Sequence, residues 1–317
     1  MTLFEATEAY ITLRRSLGAV FSSDARILRS FARTLGDIPV QGIDPKMAQA
    51  FCRGTGPPTP WWERKDGSLR GFFAWLVSRG HLAACPLPSQ RPRVRRSFTP
   101  KIYSREELQR ILDATEILQD RRYPLWQSTV RTLLLVLYGA GLRPGEGLRM
   151  RWCDVDLGER VLSINNTKFF MSRLVPIGAA LADALSEYSS ERRDLPMPAG
   201  VHSAFFATSE GLPISLRQLE SAFARLRKHA DVHGPPGSCR KPRLHDARHT
   251  FAVHRLVAWY REGVDVQACL PLLSTYLGHV NLSGTQAYLP MTPDLLEEAS
   301  QRFARYARID EKETNNA

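Results

Sequence analysis

Apolar residues recur every three to four positions through most of the first 85 residues, which is the spacing of one face of a helix. Two such runs cover residues 3–13 and 27–35. Asp44 followed by Pro45 is typical of an N-cap with a first-turn proline and predicts a third helix. A fourth helix is predicted over residues 61–78, with Gly80 as its stop signal. The pattern therefore predicts an all-helical N-terminal region.

The pattern after residue 102 is helical with one β-prone interruption. Ser104 and Glu107 form a capping box, which predicts a helix start. Further helices are predicted over residues 125–138 and from Pro144 to 150. The short apolar runs 161–164 and 174–177 flank a turn and predict a β-hairpin. The predicted fold class is mainly α with a small β-hairpin or sheet.

The stretch between these two regions, PLPSQRPRVRRSFTPK, alternates prolines with basic residues. Proline prevents helix formation and keeps such a segment extended. We therefore divide the chain into a helical domain (1–86), a basic linker (87–102), a second domain (103–309) and a polar tail (310–317). The linker is either a solvated tether or a strap across a phosphate backbone, and its candidate contacts are Arg91, Arg93, Arg95, Arg96 and Lys101.

Composition narrows the class of partner. The chain has 317 residues, a net charge of +11 and an estimated pI of 9.7. Such an excess of positive charge favours a polyanion as the binding partner, most often a nucleic acid. The alternative is a basic but otherwise ordinary enzyme. None of the five cysteines stands in a CxxC pair, which favours reduced thiols in the cytoplasm over disulfides or a zinc site. No apolar run is long enough to span a membrane.

Six side chains in the second domain have the chemistry that is needed to break a phosphodiester without a metal. Guanidinium groups match pairs of phosphate oxygens, imidazoles and ammonium groups move protons, and a phenol can attack phosphorus. Glu146 follows the first arginine by one helical turn and can orient it. The six candidates are Arg143, Lys168, His245, Arg248, His279 and Tyr288.

Several candidates also have an interpretation that involves no catalytic role. Arg143 and Glu146 are compatible with a surface ion pair, and Lys168 with a solvated hairpin lysine. His249 and His254 lie near His245, so a metal site is a further alternative, although the segment has no HExxH motif and no cysteine pair. His249 itself is interpreted as a buried structural histidine.

The order and spacing of these groups resemble the tyrosine recombinase, or phage integrase, family. GLRPGEGLRMRW resembles its first arginine box, TKFFMSRLVPI its hairpin lysine segment, LHDARHTFAVH its HxxR box, and YLGHVNLSGTQAYL the box that ends at the nucleophile. The motifs cover about residues 103–300, and GSLRGFFAWLVSRGHLAACPL resembles the helical core-binding (SAM-like) DNA-binding domain. Phe169, Phe170 and Met171 stand where the family has glycine or basic residues.

The resemblance implies a mechanism for these residues. Tyr288 attacks the scissile phosphate and forms a 3′-phosphotyrosine, and His245 accepts its proton. Arg143 and Arg248 hold the non-bridging oxygens, Lys168 protonates the departing 5′-oxygen, and His279 hydrogen-bonds the phosphate. Glu146 supports the first box, and no metal or other cofactor is expected.

The resemblance further implies a site-specific recombinase that serves integration, excision or transposition of a mobile element. Its expected partner is double-stranded DNA, bound by a homotetramer that exchanges the C-terminal segment 293–309, with accessory recombinases as further partners and the nucleoid as its location. Two alternatives stay open at this point. One is a type IB topoisomerase-like enzyme, and the other is a catalytically inactive DNA-binding regulator.

Overall fold

A computed structural model describes residues 1–53, 58–91, 100–120, 123–165, 172–196, 200–208, 210–234, 240–279, 281–286, 288, 297 and 300. The chain divides into two compact units, Met1–Phe98 and Thr99–Ala317. None of the described helices is long and apolar enough to cross a membrane.

The first unit contains the four predicted helices, which are α1 (Leu3–Ser16), α2 (Ser22–Leu35), α3 (Pro45–Cys52) and α4 (Pro60–Ser78). The Asp44 side chain accepts a hydrogen bond from the Lys46 backbone N–H at 2.8 Å, which confirms the predicted N-cap of α3. Gly80 lies just beyond α4 with a φ of 72°, a conformation that glycine adopts without strain. Local signals in the sequence therefore mark the start of α3 and the end of α4.

Aromatic side chains form the core of the first unit. Phe72 is fully buried, and its ring lies 5.6 Å from that of Tyr10 and 5.7 Å from that of Phe73. Phe73 makes an edge-on contact with Phe31, at 5.9 Å. The aromatic rings thus join α1, α2 and α4.

The beginning of the predicted linker packs on the first unit. Leu87 is buried in its core, and Arg70 donates a hydrogen bond to the Pro88 carbonyl. Arg91 lies 3.4 Å from the buried Asp66 carboxylate, although more than half of the arginine side chain is exposed. The chain is therefore fixed to this unit as far as Arg91.

The second unit is helical around one small sheet. Its helices are α5 (Arg105–Asp113), α6 (Trp126–Gly139), α7 (Pro144–Leu148), α8 (Ala179–Arg193), α9 (Leu216–His229), α10 (Asp246–Arg261), α11 (Val266–Leu277) and α12 (Ser283–Gln286). Both side-chain-to-backbone bonds of the Ser104–Glu107 capping box are present at the start of α5. The apolar α6 is central to the unit and packs against α8 and α10.

The predicted hairpin is present and belongs to a three-stranded antiparallel sheet. Its strands are β1 (Val155–Asp156), β2 (Val161–Ile164) and β3 (Arg173–Pro176), in the order β1–β2–β3. Leu162 pairs with Val175, and both are fully buried. The sequence did not predict β1, because its two residues are too few to show an alternating pattern. The segment with Lys168, Phe169, Phe170 and Met171, where the sequence predicts a turn, lies outside the described residues.

We expect the aromatic core of the first unit to be decisive for its stability. Phe72→Ala should lower the free energy of unfolding by about 3–5 kcal/mol, because it removes a fully buried ring and leaves a cavity. The control Trp61→Ala removes a side chain that is 55% exposed and should change it by no more than about 0.5 kcal/mol. Urea unfolding of the full chain measures both effects, and similar losses in the two variants would contradict this view of the core.

Candidate active site

Arg143 is fixed by its own helix start and by the end of α11. It is the N-cap residue of α7, and its backbone N–H donates to Glu146 at 3.0 Å. One guanidinium nitrogen, Nη1, donates to the same carboxylate at 2.7 Å, and Nη2 donates to the Gly278 carbonyl at 3.1 Å. About a third of the side chain is still exposed, so a ligand can approach the guanidinium. The ion pair with Glu146 therefore orients Arg143 toward the pocket.

Glu146 is shared with a second arginine that the sequence analysis did not select. Nη1 and Nη2 of Arg173 donate to the two carboxylate oxygens at 3.2 and 2.9 Å. Burial alone would raise the pKa of Glu146, but hydrogen bonds from Arg173 and Arg143 and the charge of Arg173 lower it to about 2. The carboxylate is therefore ionised at neutral pH and partly balances the two guanidinium groups.

Arg248 lies on the first turn of α10 and is almost completely buried. Its Nη1 donates to the Gly141 carbonyl at 2.8 Å, and its Nη2 donates to the Leu277 carbonyl. Gly141 has a φ of 60°, and a Cβ there would lie 2.6 Å from the Phe251 ring, so the sharp turn after α6 requires glycine. Burial and the charge of Arg143 lower the pKa of Arg248 to about 10, which leaves it charged at neutral pH.

His279 and Tyr288 lie on either side of a short helix, α12. The Nδ1 atom of His279 lies 2.7 Å from the hydroxyl oxygen of Thr285, a fully buried residue of α12. This contact folds the segment back, and the rings of His279 and Tyr288 are 6.0 Å apart. The nine-residue spacing in the sequence therefore corresponds to a real proximity.

Tyr288 is buried next to Arg248, with only 3% of its surface exposed. Burial raises the pKa of its phenol, while the charge of Arg248, a hydrogen bond from Arg248 and the charge of Arg143 act in the opposite direction. The phenol is therefore protonated at neutral pH and needs a base before it can act as a nucleophile.

The histidine packed most closely against Tyr288 is His249. Its ring lies edge-on to that of Tyr288 at 5.5 Å and to that of His245 at 5.0 Å. Among the described residues, the ring contacts of Tyr288 are with His249 and His279, while His245 is one ring further away. The sequence pattern predicts only a structural role for His249. Its position one helical turn from His245, on the same side of α10, is the signal that could have identified it.

The remaining candidates are distributed as follows. Lys168, Arg93, Arg95 and Arg96 lie outside the described residues. Lys101 is mostly buried and forms an ion pair of 2.8 Å with Glu107. The His254 Nδ1 atom lies 2.9 Å from the Tyr138 hydroxyl, and in the described part of the chain no three His, Cys, Asp or Glu residues are arranged to hold a metal ion.

Together, these contacts form a cationic pocket beside a phenol. Three guanidinium groups, those of Arg143, Arg173 and Arg248, surround one carboxylate, that of Glu146. The positive excess is suited to an anion with several oxygens, and a phosphate matches the fork of an arginine.

The three histidines of the pocket should make the protein sensitive to acid. Burial and the charge of Arg248 lower the pKa of both His245 and His279 from 6.5 to about 4. Burial and the neighbouring His245 lower the pKa of His249 from 6.5 to about 3. Between pH 6.5 and 4 the unfolded chain thus binds protons that the folded chain does not bind. The contribution of these histidines to the free energy of unfolding is therefore fully present above pH 6.5 and is lost as the pH falls through this range.

The free energy of unfolding, measured from pH 7.5 to 4, should decrease steeply in the wild type. In His249→Phe the slope of the free energy of unfolding against pH should be smaller near pH 5, because the variant keeps a ring but loses a titrating group. The decrease should correspond to roughly one proton fewer taken up on unfolding. An unchanged slope in the variant would show that His249 does not contribute to the acid sensitivity.

Comparison with known proteins agrees with this geometry. The family model described as "Phage integrase family" matches residues 101–293. The candidate integrase/recombinase y4rE of Sinorhizobium fredii (strain NBRC 101917 / NGR234) is 38% identical over 304 residues, which are 95% of this chain and 95% of that protein. Tyrosine recombinase XerC of Xylella fastidiosa (strain 9a5c) is 29% identical, over 87% of this chain and 83% of that protein.

Solved structures share the fold. The Tn1549 transposon integrase in complex with transposon right end DNA has a TM-score of 0.69 at 18% identity and covers 97% of this chain and 100% of that chain. A lambda integrase (75–356) dimer bound to a COC′ core site has a TM-score of 0.65 at 19% identity and covers 89% of this chain and 96% of that chain. The family model and the curated relatives extend over most of the sequence, so this chain belongs to the phage integrase family and is a tyrosine recombinase.

Proposed function

We propose that this recombinase cuts and rejoins double-stranded DNA at specific sites through a 3′-phosphotyrosine on Tyr288. The observation that carries the proposal is the position of the phenol, which is buried against the Arg248 guanidinium in a pocket that also contains Arg143. A covalent intermediate keeps the energy of the broken phosphodiester in the enzyme–DNA bond, so rejoining needs no nucleotide cofactor.

In the proposed reaction, the Tyr288 oxygen forms a bond with phosphorus and the bond from phosphorus to the 5′-oxygen breaks. Arg143 and Arg248 stabilise the additional negative charge on the non-bridging oxygens. His279 hydrogen-bonds the same phosphate. Lys168 donates a proton to the 5′-oxygen, and His245 accepts the proton of the phenol.

A bound phosphate would change the protonation of the histidines in the direction that this mechanism needs. The pKa of His245 is lowered by burial and by the charges of Arg248, Arg243 and Arg143. A phosphate between Arg143 and Arg248 would offset two of these charges and raise that pKa, so the imidazole becomes a better base only when substrate is present. The packed ring of His249 lies between His245 and Tyr288, so we propose that the Tyr288 segment shifts when DNA binds. The low exposure of Tyr288 also requires such a shift, because phosphorus has to reach its oxygen.

We propose that the protein acts as a homotetramer on DNA, with exchange of its C-terminal segment between protomers, and that it acts on the nucleoid in the cytoplasm. Structural neighbours support an assembly on DNA, since lambda integrase has been solved as a dimer on a core site and as a tetramer on a Holliday junction. The transposon integrase of Tn1549 supports a role on a mobile element. Accessory recombinases remain part of the proposal, as do DNA contacts by Arg91, Arg93, Arg95, Arg96 and Lys101 in the linker.

The two alternatives from the sequence are not favoured. A topoisomerase-like enzyme does not agree with the curated relatives, which are named as recombinases along most of this chain. An inactive regulator would not need a buried phenol and two buried or half-buried guanidinium groups in one pocket, because each of these groups costs free energy to desolvate.

The formation of a covalent adduct tests the proposed function directly. The substrate is a duplex that is selected for binding from random DNA and then nicked near its centre. Cleavage releases a short fragment with the 5′-hydroxyl, so the DNA cannot be rejoined and the intermediate is trapped. The wild type should form an adduct that survives denaturing electrophoresis without added metal or ATP. Tyr288→Phe should form none, because it lacks the attacking oxygen, and the matched control Tyr276→Phe should retain the adduct. An adduct with Tyr288→Phe would refute the assignment of the nucleophile.

The role of Lys168 can be separated from that of the arginines by changing the leaving group. Replacing the 5′-oxygen by sulfur gives a leaving group with a pKa near ~8.5, like that of a cysteine thiol, which departs without a proton donor. Lys168→Ala should cleave the normal DNA at least ~10²-fold more slowly than the wild type and the sulfur-substituted DNA at nearly the wild-type rate. An equal defect on both substrates would exclude Lys168 as the acid.

A further inference from the structure

Arg173 is a third arginine at the candidate site, and the proposed mechanism gives it no role. It is the first residue of β3, five positions after Lys168. Alternate residues of a strand point to opposite faces. Leu174 is 68% exposed and Val175 is fully buried, so Arg173 lies on the buried side of the strand, and only 10% of its side chain is exposed.

All three nitrogens of the Arg173 guanidinium donate to protein partners. Its Nε donates to the Tyr276 carbonyl at 2.8 Å, and its two Nη atoms donate to the two oxygens of Glu146. A phosphate would have to compete with this carboxylate for both Nη atoms, whereas the two Nη atoms of Arg248 donate to neutral backbone carbonyls. Arg143 differs in this respect, because its side chain is about a third exposed. Arg173 is therefore placed to hold other groups rather than to bind the substrate.

The groups that Arg173 holds belong to two separate parts of the chain. Glu146 is on α7 and orients Arg143, while Tyr276 is in the last turn of α11, three residues before His279. The Arg173 side chain also packs under Gly278, where an added Cβ would lie 2.9 Å from Nη1. The carbonyl of Gly278 in turn accepts the hydrogen bond from Arg143.

The carbonyls at the end of α11 show a regular pattern. Those of Tyr276, Leu277 and Gly278 accept hydrogen bonds from Arg173, Arg248 and Arg143, respectively. The last carbonyls of a helix have no partners within the helix and carry partial negative charge, so they favour cations. Two of these three arginines are the proposed phosphate ligands, and the third fixes the same helix end from the sheet.

We propose that Arg173 is a positioning residue that aligns Arg143 with the scissile phosphate by joining β3, Glu146 and the end of α11. This inference rests on the proposed function. A lysine at this position would keep the charge but not the fork, because one ammonium group cannot bond to both oxygens of Glu146 and to the Tyr276 carbonyl in the same planar geometry.

The test compares two substrates that differ in the charge of the scissile phosphate. A methylphosphonate at that position has lost one negative charge and therefore depends less on alignment with a guanidinium. We expect Arg173→Met to form the Tyr288 adduct roughly 10²-fold more slowly than the wild type on the normal phosphate. On the methylphosphonate its defect should be at least ~10-fold smaller, as should that of Arg143→Met. Arg173→Lys should behave like Arg173→Met, although it keeps the charge.

The controls separate positioning from folding and from failure of the proposed function. Arg160→Met removes an exposed arginine from the turn between β1 and β2 and should leave both rates unchanged. Melting temperature and DNA binding show whether the Arg173 variants are folded, and Arg173→Lys carries the test if Arg173→Met does not fold. If the wild type forms no adduct, the proposed function fails. If the wild type reacts but the defect of the folded Arg173 variants is absent, or equal on both substrates, the positioning role is wrong while the proposed function stands.

Discussion

The end of helix α11 is the feature on which the arrangement of the active site depends. Three arginines from distant parts of the chain donate to its last carbonyls, and Gly278 permits the close approach of one of them, Arg173. A helix C-terminus attracts cations, but three guanidinium groups also repel one another. Glu146 reduces this repulsion by accepting hydrogen bonds from two of the three, and its pKa of about 2 keeps it ionised. The excess positive charge that remains is available to an anion.

This balance accounts for the burial of the site. The buried Arg248 has backbone carbonyls and the Tyr288 phenol as partners, and the surrounding histidines are kept neutral by burial and by the cations. In the proposed mechanism, an anion that enters the site would release the phenol from Arg248 and raise the affinity of the imidazoles for protons. The proposal therefore couples substrate binding to activation of the nucleophile through charge.

Much of the fold could be predicted from the sequence because its signals are local, whereas the candidate site residues were selected by the order and spacing of several motifs. The capping box at Ser104, the proline after Asp44 and the hairpin pattern each depend on neighbouring residues. What could not be predicted depends on distant contacts. Arg173 meets the Tyr276 carbonyl across 103 positions, and Arg248 meets the Gly141 carbonyl across 107. His249 was assigned a structural role because its contact with Tyr288 exists only after α12 has folded back.

The central claim is that the phenol of Tyr288, placed between the arginines at the end of α11, is the group that becomes joined to DNA. Mass spectrometry of the trapped and digested protein–DNA complex tests it most directly, because it identifies the modified residue. We expect the peptide with Tyr288 to carry a 3′-phosphodeoxynucleotide. A nucleotide on any other side chain would show that Tyr288 is not the nucleophile.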